Sequence, residues 1–286
     1  MCQSVADNPL HEPYRKENSR TMKKGLLVVS FGTTFPDARE KSIHSIENTL
    51  SRAFPEYPLY RAFTSEIVRK RIWEQEGISI DNVSEALHRM KKEGIQEVVI
   101  QSTHVIPGEE YDKVLAAARY FGGQFQTIHI GKPLLAAPED YLQTIEVLNN
   151  KYHFDRLAKN EAVILMGHGT EHMANQCYHQ FQAFLNKQGL TNVLMSTVEG
   201  TPEFPDTLSV LKRSAYKKVT LIPFMVVAGD HVRNDLLGED KTSWKTQLQT
   251  AGYEVNGHMN GLGELSGIRQ LFLAHLSDTL HGDCSI

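Results

Sequence analysis

Cysteine is scarce in this chain. The three residues, Cys2, Cys177 and Cys284, are an odd number spread over 286 positions. They form neither a disulfide framework nor a CxxC metal site, and they read as free thiols in a reducing compartment. Long apolar runs are missing too. No stretch approaches the roughly 18 residues that span a bilayer, so no membrane association is expected. The opening segment, "MCQSVADNPLHEPYRKENSR", lacks the apolar region of a secretory signal. A cytoplasmic location is therefore expected, with residues 1–21 as a disordered extension and Met22 as the start of the fold. Neither sign of charge dominates. A net charge of −4 gives no global attraction to nucleic acid, and none is expected as a partner. No Walker-type phosphate loop is present, so nothing calls for a nucleotide or other organic cofactor.

What is present is a regular alternation of strand-like and helix-like segments. "GLLVVSFGTT" is a continuous apolar run, as in a strand buried on both faces. "FPDAREKSIHSIENTLSRAF" follows with Ile43, Ile46, Leu50 and Phe54 at helical spacing, Thr34 as the expected N-cap and Pro36 in the first turn. "LYRAFTS", "EVVIQS" and "QTIHI" are further strands, separated by helices. The order then recurs, with strands at "AVILMG", "NVLMSTV", "KVTLIPFMVV" and "YEVNGHM" and a closing helix at "SGIRQLFLAHLSDTL". Local matches support a duplication. "VVSFGTT" lies opposite "ILMGHGT", and "VVIQSTHVIPGEEYD" opposite "VTLIPFMVVAGDHVRND". The expected fold is α/β: two similar domains, 22–137 and 138–286, each a parallel sheet flanked by helices, with a cleft between them. The helix near 138–150 and the C-terminal helix, 265–281, are each available to pack on the other domain.

Ligands in such sheets bind beyond the strand C-terminal ends. Four polar residues fall there: His168 in "MGHGT", Glu199 in "TVEGTPEF", Glu110 in "IPGEEYD" and His231 in "VAGDHVRND". Aligning Gly108 with Gly229 puts Glu110 opposite His231. Imidazoles and carboxylates on separate loops suit a divalent transition metal. With so few thiolates such a site is open and labile, not a closed structural zinc site. His104, His172, His179 and His258 read as solvated or structural residues.

In combination, "LLVVSFGTT", "RAFTS", "QSTHVIPGEEY", "MGHGTEH", "VEGTPE" and "PFMVVAGDHVRNDL" resemble the anaerobic cobalt chelatases of vitamin B12 biosynthesis. These sirohydrochlorin cobaltochelatases (CbiK-type) are class II chelatases, related in fold to ferrochelatase. The resemblance implies a tetrapyrrole, sirohydrochlorin or precorrin-2, lying in the cleft, with Co²⁺ as the substrate ion. It implies metal ligation by His168, Glu199 and His231, and a catalytic role for His168 and Glu110. Insertion releases the pyrrole N–H protons, and a neutral imidazole or a carboxylate can accept them. The tetrapyrrole's carboxylates would meet Ser30, Gly32, Thr33, Thr34 and the helix start beyond them, with Arg61, Arg233 and Lys132 as possible ion-pair partners. Two rivals stay open: an iron or nickel chelatase (Fe²⁺ or Ni²⁺) on the same scaffold, and a tetrapyrrole- or metal-binding protein without chemistry. An oligomer is possible on any of these readings.

Overall fold

Strand β1 (Lys24–Ser30) is apolar throughout its middle because both of its faces are covered; Leu26, Leu27, Val28 and Val29 are all buried. In the computed structural model, which describes residues 22–282, β1 pairs in parallel with β2 (Leu59–Phe63) and β3 (Glu97–Ser102). β4 (Thr127–Gly131) adds beyond β3, giving the order β2-β1-β3-β4. The second sheet repeats it as β6-β5-β7-β8, from β5 (Glu161–Gly167), β6 (Val193–Thr197), β7 (Lys218–Pro223) and β8 (Glu254–Gly257). In each sheet the order reverses beside the central strand. The loops after β1 and β3, and after β5 and β7, therefore diverge and leave a crevice.

Strand periodicity divides the core. Leu26 and Val28 point into a large apolar cluster that also contains Val163, Leu165, Phe181, Ile222 and Phe272, so it runs through both halves. Leu27 and Val29 point the other way, into a cluster confined to the first half. Ile164 and Met166 do the same in the second half.

The helices are α1 (Pro36–Ala38), continuing through a π-helical turn (Arg39–His44) into α2 (Ser45–Ala53), then α3 (Glu66–Glu76), α4 (Val83–Lys92) and α5 (Glu109–Phe121). The later ones are α6 (Pro138–Tyr152), α7 (Gln176–Lys187), α8 (Phe204–Lys212), α9 (Trp244–Thr250) and α10 (Ser266–His281). Gly77 closes α3 in the left-handed conformation, and Asn82 with Glu85 forms a capping box on α4. The last helix of each half crosses to the other. α6 stacks Tyr141 on Phe184 of α7, while α10 lies along α2 and β4. A buried His275–Asp140 pair, 2.9 Å, ties α10 to α6 where they cross.

Two expectations about element ends need correction. Thr34 is not the N-cap of α1; that position is Phe35, whose N–H donates to Thr33 Oγ1. The seventh strand does not run to Val227 but stops at Pro223, with one further bond from Phe224 N–H to the Met166 carbonyl. The apolar residues after it are covered by a loop instead, with Leu262 N–H on the Met225 carbonyl and Gly263 N–H on that of Val226. Cys2, Cys284 and the extension 1–21 lie outside the described residues. Cys177 is buried and free. Among the described residues, no helix is long and apolar enough to cross a membrane.

Candidate metal and tetrapyrrole site

The two glycines around His168 have separate causes. At Gly167 a Cβ would meet the Tyr178 ring at 2.5 Å, so α7 packs directly on the end of β5. Gly169 has φ +83°, and a Cβ there would collide with the backbone of Gly200. The loop after β6 is thus pressed against the loop after β5. Two hydrogen bonds join them: Val198 N–H and Glu199 N–H both donate to the His168 carbonyl, at 3.1 and 2.8 Å. This close approach brings Glu199 to His168 across thirty residues of chain.

His231 arrives from the other side of β5, beyond β7. Its ring stands edge-on to that of His168, with centroids 4.8 Å apart at 87°. Glu199 Oε2 lies 3.6 Å from His168 Nδ1. One ligand atom from each of His168, Glu199 and His231 lies within 4.8 Å of the others, the one such group of metal-ligating side chains among the described residues. All three are reachable from solvent, with side-chain exposures of 38%, 57% and 30%. Such a site is open enough to accept an ion and give it up.

Each imidazole has one nitrogen engaged. His168 Nδ1 donates to the Gly169 carbonyl at 2.9 Å, and His231 Nδ1 donates to Asp235 Oδ2 at 2.7 Å. A carbonyl and a carboxylate only accept, so Nδ1 carries the hydrogen in both rings and each lone pair is on Nε2. Asp235 escaped sequence reasoning. Its signal was the spacing of four from His231 in "HVRND", which puts the two on one helical face; the segment looked like a loop but is a helical turn, π-helical from Val232 to Leu236.

The first half closes over this group. Phe31, 43% exposed at the end of β1, has its ring centroid 6.2 Å from that of His168. Arg233 donates to both oxygens of Asp37, at 2.9 and 3.1 Å, and its guanidinium lies 4.2 Å over the Phe35 ring. At the start of α5, Asp112 pairs with His172 at 3.3 Å. Glu110 lies two residues earlier, in the first turn of the same helix. Its Oε1 accepts from Lys113 at 2.6 Å, while its Oε2 is buried without a partner. Glu110 is not in the group of converging ligand atoms. Its side chain is 26% exposed, against 73% for Glu109, so the two adjacent acids do face differently.

The other candidates divide sharply. Ser30 is buried and hydrogen-bonded to Thr103 Oγ1 at 2.8 Å, so its hydroxyl faces inward. Gly32, with φ +98°, lets the chain turn beside Phe63, where a Cβ would meet the ring at 2.5 Å. Thr33 is buried, with its oxygen on the Phe35 N–H; Thr34 is the half-exposed member of the set. Arg61 makes a two-pronged ion pair with Glu47, itself 4% exposed, through an Nε–Oε1 bond of 2.6 Å and a second bond from NH2 to Oε2. This pair raises the Arg61 pKa further and occupies the guanidinium, so Arg61 is better described as a brace between β2 and α2. Arg61→Lys should cost about 1–2 kcal/mol of stability, by loss of a charged hydrogen bond, and leave tetrapyrrole affinity unchanged in an absorbance titration. Of the lesser histidines, His104 is buried between Ser102 and Thr64, His179 bonds Thr201, and His258 lies against the Tyr152 ring.

Comparisons with known proteins place the whole chain rather than its single residues. The sirohydrochlorin cobaltochelatase of Salmonella typhimurium is 36% identical over 260 residues, covering 91% of this chain and 97% of that protein. Sirohydrochlorin cobaltochelatase CbiKC of Nitratidesulfovibrio vulgaris is 32% identical over 258 residues, covering 89% and 90%. Two solved structures share the fold at 13% identity. SirB from Bacillus subtilis with Fe³⁺ has a TM-score of 0.60 and coverage of 91% and 96%. A multi-domain protein of Deinococcus radiodurans, described as structurally similar to chelatases, has 0.54, covering 92% of this chain and 56% of that one. The family model described as cobalt chelatase (CbiK) matches residues 24–281, so this two-sheet chain, with His168, Glu199 and His231 gathered at its strand ends, belongs to the cobalt chelatase (CbiK) family.

Proposed function

We propose that this protein is a sirohydrochlorin cobaltochelatase, inserting Co²⁺ into sirohydrochlorin in the cleft between its two sheets, with His168, Glu199 and His231 presenting the ion. The observation that carries the reading is the convergence of those three side chains from three separate loops, in a chain of the cobalt chelatase family. Its relatives of 36% and 32% identity bear that activity in their names. The ion is a substrate here. Two imidazole nitrogens and a carboxylate strip part of its hydration shell without the grip of a thiolate cage. As the ring nitrogens take the ion over, both pyrrole protons must leave. A freed imidazole Nε2 at His168 is placed to accept one. Glu110 of the first half, with one carboxylate oxygen unpaired, is the second acceptor in this reading.

The test is a spectrophotometric insertion assay with sirohydrochlorin and Co²⁺, Fe²⁺ or Ni²⁺ supplied in turn. The reading requires accelerated insertion of cobalt. Tetrapyrrole binding without acceleration would make the protein a carrier, and a faster reaction with another ion would reassign the metal. In the same assay Glu110→Gln should slow insertion by about a hundredfold, the lower end of what a proton-transfer group contributes, without loss of tetrapyrrole binding. Glu109→Gln should match the parent. Equal rates for both variants would remove Glu110 from the chemistry.

A further inference from the structure

The two histidines of the site are backed by different partners. His231 Nδ1 donates to a carboxylate, Asp235 Oδ2, at 2.7 Å. His168 Nδ1 donates to a neutral peptide carbonyl, that of Gly169, at 2.9 Å. The nearest carboxylate to that nitrogen, Glu199 at 3.6 Å, is beyond hydrogen-bond reach and is itself one of the converging ligands. We propose that Asp235 is a positioning residue that makes His231 the anchoring ligand for the incoming ion, leaving His168 as the ligand that lets go during transfer to the ring. The inference rests on the metal-site reading above and deepens it.

A carboxylate behind an imidazole does two things. It fixes the tautomer and the ring orientation, and it makes the distal nitrogen a stronger donor. A peptide carbonyl also fixes the tautomer, but without the negative charge. The mounting of the two rings differs in the same sense. His231 sits on a helical turn whose Val232 and Leu236 are both fully buried, and Asp235 is one helical turn along the same face. Arg233 of that turn is clamped to Asp37 and Phe35 of the first half. The backbone of His168 is held by Val198 and Glu199, but its ring has one hydrogen bond, made to the adjacent residue. Transfer of an ion to a macrocycle needs ligands that leave in sequence. A strong, fixed ligand and a weaker, looser one 4.8 Å apart provide that order.

The experiment is Co²⁺ binding to the tetrapyrrole-free protein, followed by visible ligand-field absorption and calorimetry. Asp235→Asn, Asp235→Glu, His231→Ala and His168→Ala are compared with the parent, and circular dichroism checks the fold. Asp235→Asn should weaken Co²⁺ binding about 10–100-fold and raise the KM for Co²⁺, with kcat largely kept at saturating metal. Asp235→Glu should recover most of the loss. His231→Ala should weaken binding more than His168→Ala. Parental affinity in Asp235→Asn, or equal losses in the two histidine variants, would overturn the inference while leaving the site itself intact. A parent protein that binds no Co²⁺ would instead remove the site reading, and this inference with it.

Discussion

Replacing His168 with alanine is expected to lower cobalt insertion at least a hundredfold, the lower end of what a positioned proton-transfer group contributes, and to leave the protein folded. The side chain is 38% exposed and makes no hydrogen bond beyond its own neighbour's carbonyl, so its removal opens no cavity. The contacts that build the loop are backbone ones. Val198 and Glu199 still find the residue-168 carbonyl, and Gly169 still lies flat on Gly200. What disappears is a ligand to the ion and an acceptor for a pyrrole proton. Both are needed in the same step, so the loss falls on kcat as well as on the KM for cobalt. The measurement is steady-state insertion with unchanged circular dichroism. A variant that turns over at the parental rate would show His168 to be structural and would end the proposed site assignment.

Acid should destabilise the protein through a histidine outside the ligand group. His104, at the end of the first sheet, is buried, and burial pushes its pKa down to about 4, with the opposing charge of Glu110 too weak to restore it. Ser102 Oγ at 2.8 Å and Thr64 Oγ1 at 3.3 Å satisfy the neutral ring, since either hydroxyl can donate or accept. In the unfolded chain a histidine titrates near 6.5. Between these values the unfolded state binds a proton that the folded state refuses. Stability therefore falls as pH drops from about 6.5 to about 4, and His104 contributes nothing further below that, where both states are protonated. The interval corresponds to about 3 kcal/mol. Asp140 adds a loss of the same sign. Burial alone would raise its pKa, but the His275 hydrogen bond and the Ala136 and Ala137 N–H groups lower it overall, so its contribution also vanishes as pH falls through its folded value. Urea unfolding at pH 7 and pH 4.5 separates the two. His104→Asn should be less stable than the parent at pH 7 and should lose much less on acidification. Equal losses in parent and variant would show that His104 does not carry the acid sensitivity.

The sequence by itself determined the order of elements, the duplication and the candidate residues, and the physical reason is that these signals are local. A strand covered on both faces must be apolar at every position, which is why 26–29 was legible as a central strand and 162–166 as its counterpart. Turn chemistry is local as well, and it placed His168, Glu199 and His231 at strand ends. The two final helices were free, by sequence, to pack on either half; the contacts of α10 with α2 and β4 are a fact of the tertiary structure. The tertiary structure decided which side chains meet and which are already engaged. Glu199 reaches His168 because two loops touch at Gly169 and Gly200, a contact no spacing encodes. Arg61 looked free to bind an anion, yet Glu47 holds it; Ser30 looked like part of the cleft wall, yet its hydroxyl is turned into the core. Asp235 became visible only when "HVRND" proved to be a helical turn rather than a loop. A charged or hydroxyl side chain has many possible partners along a chain, and packing selects among them by bringing distant loops within a few ångströms. Pattern and period specify the scaffold, whereas the pairing of polar groups at its mouth is a property of the folded surface alone.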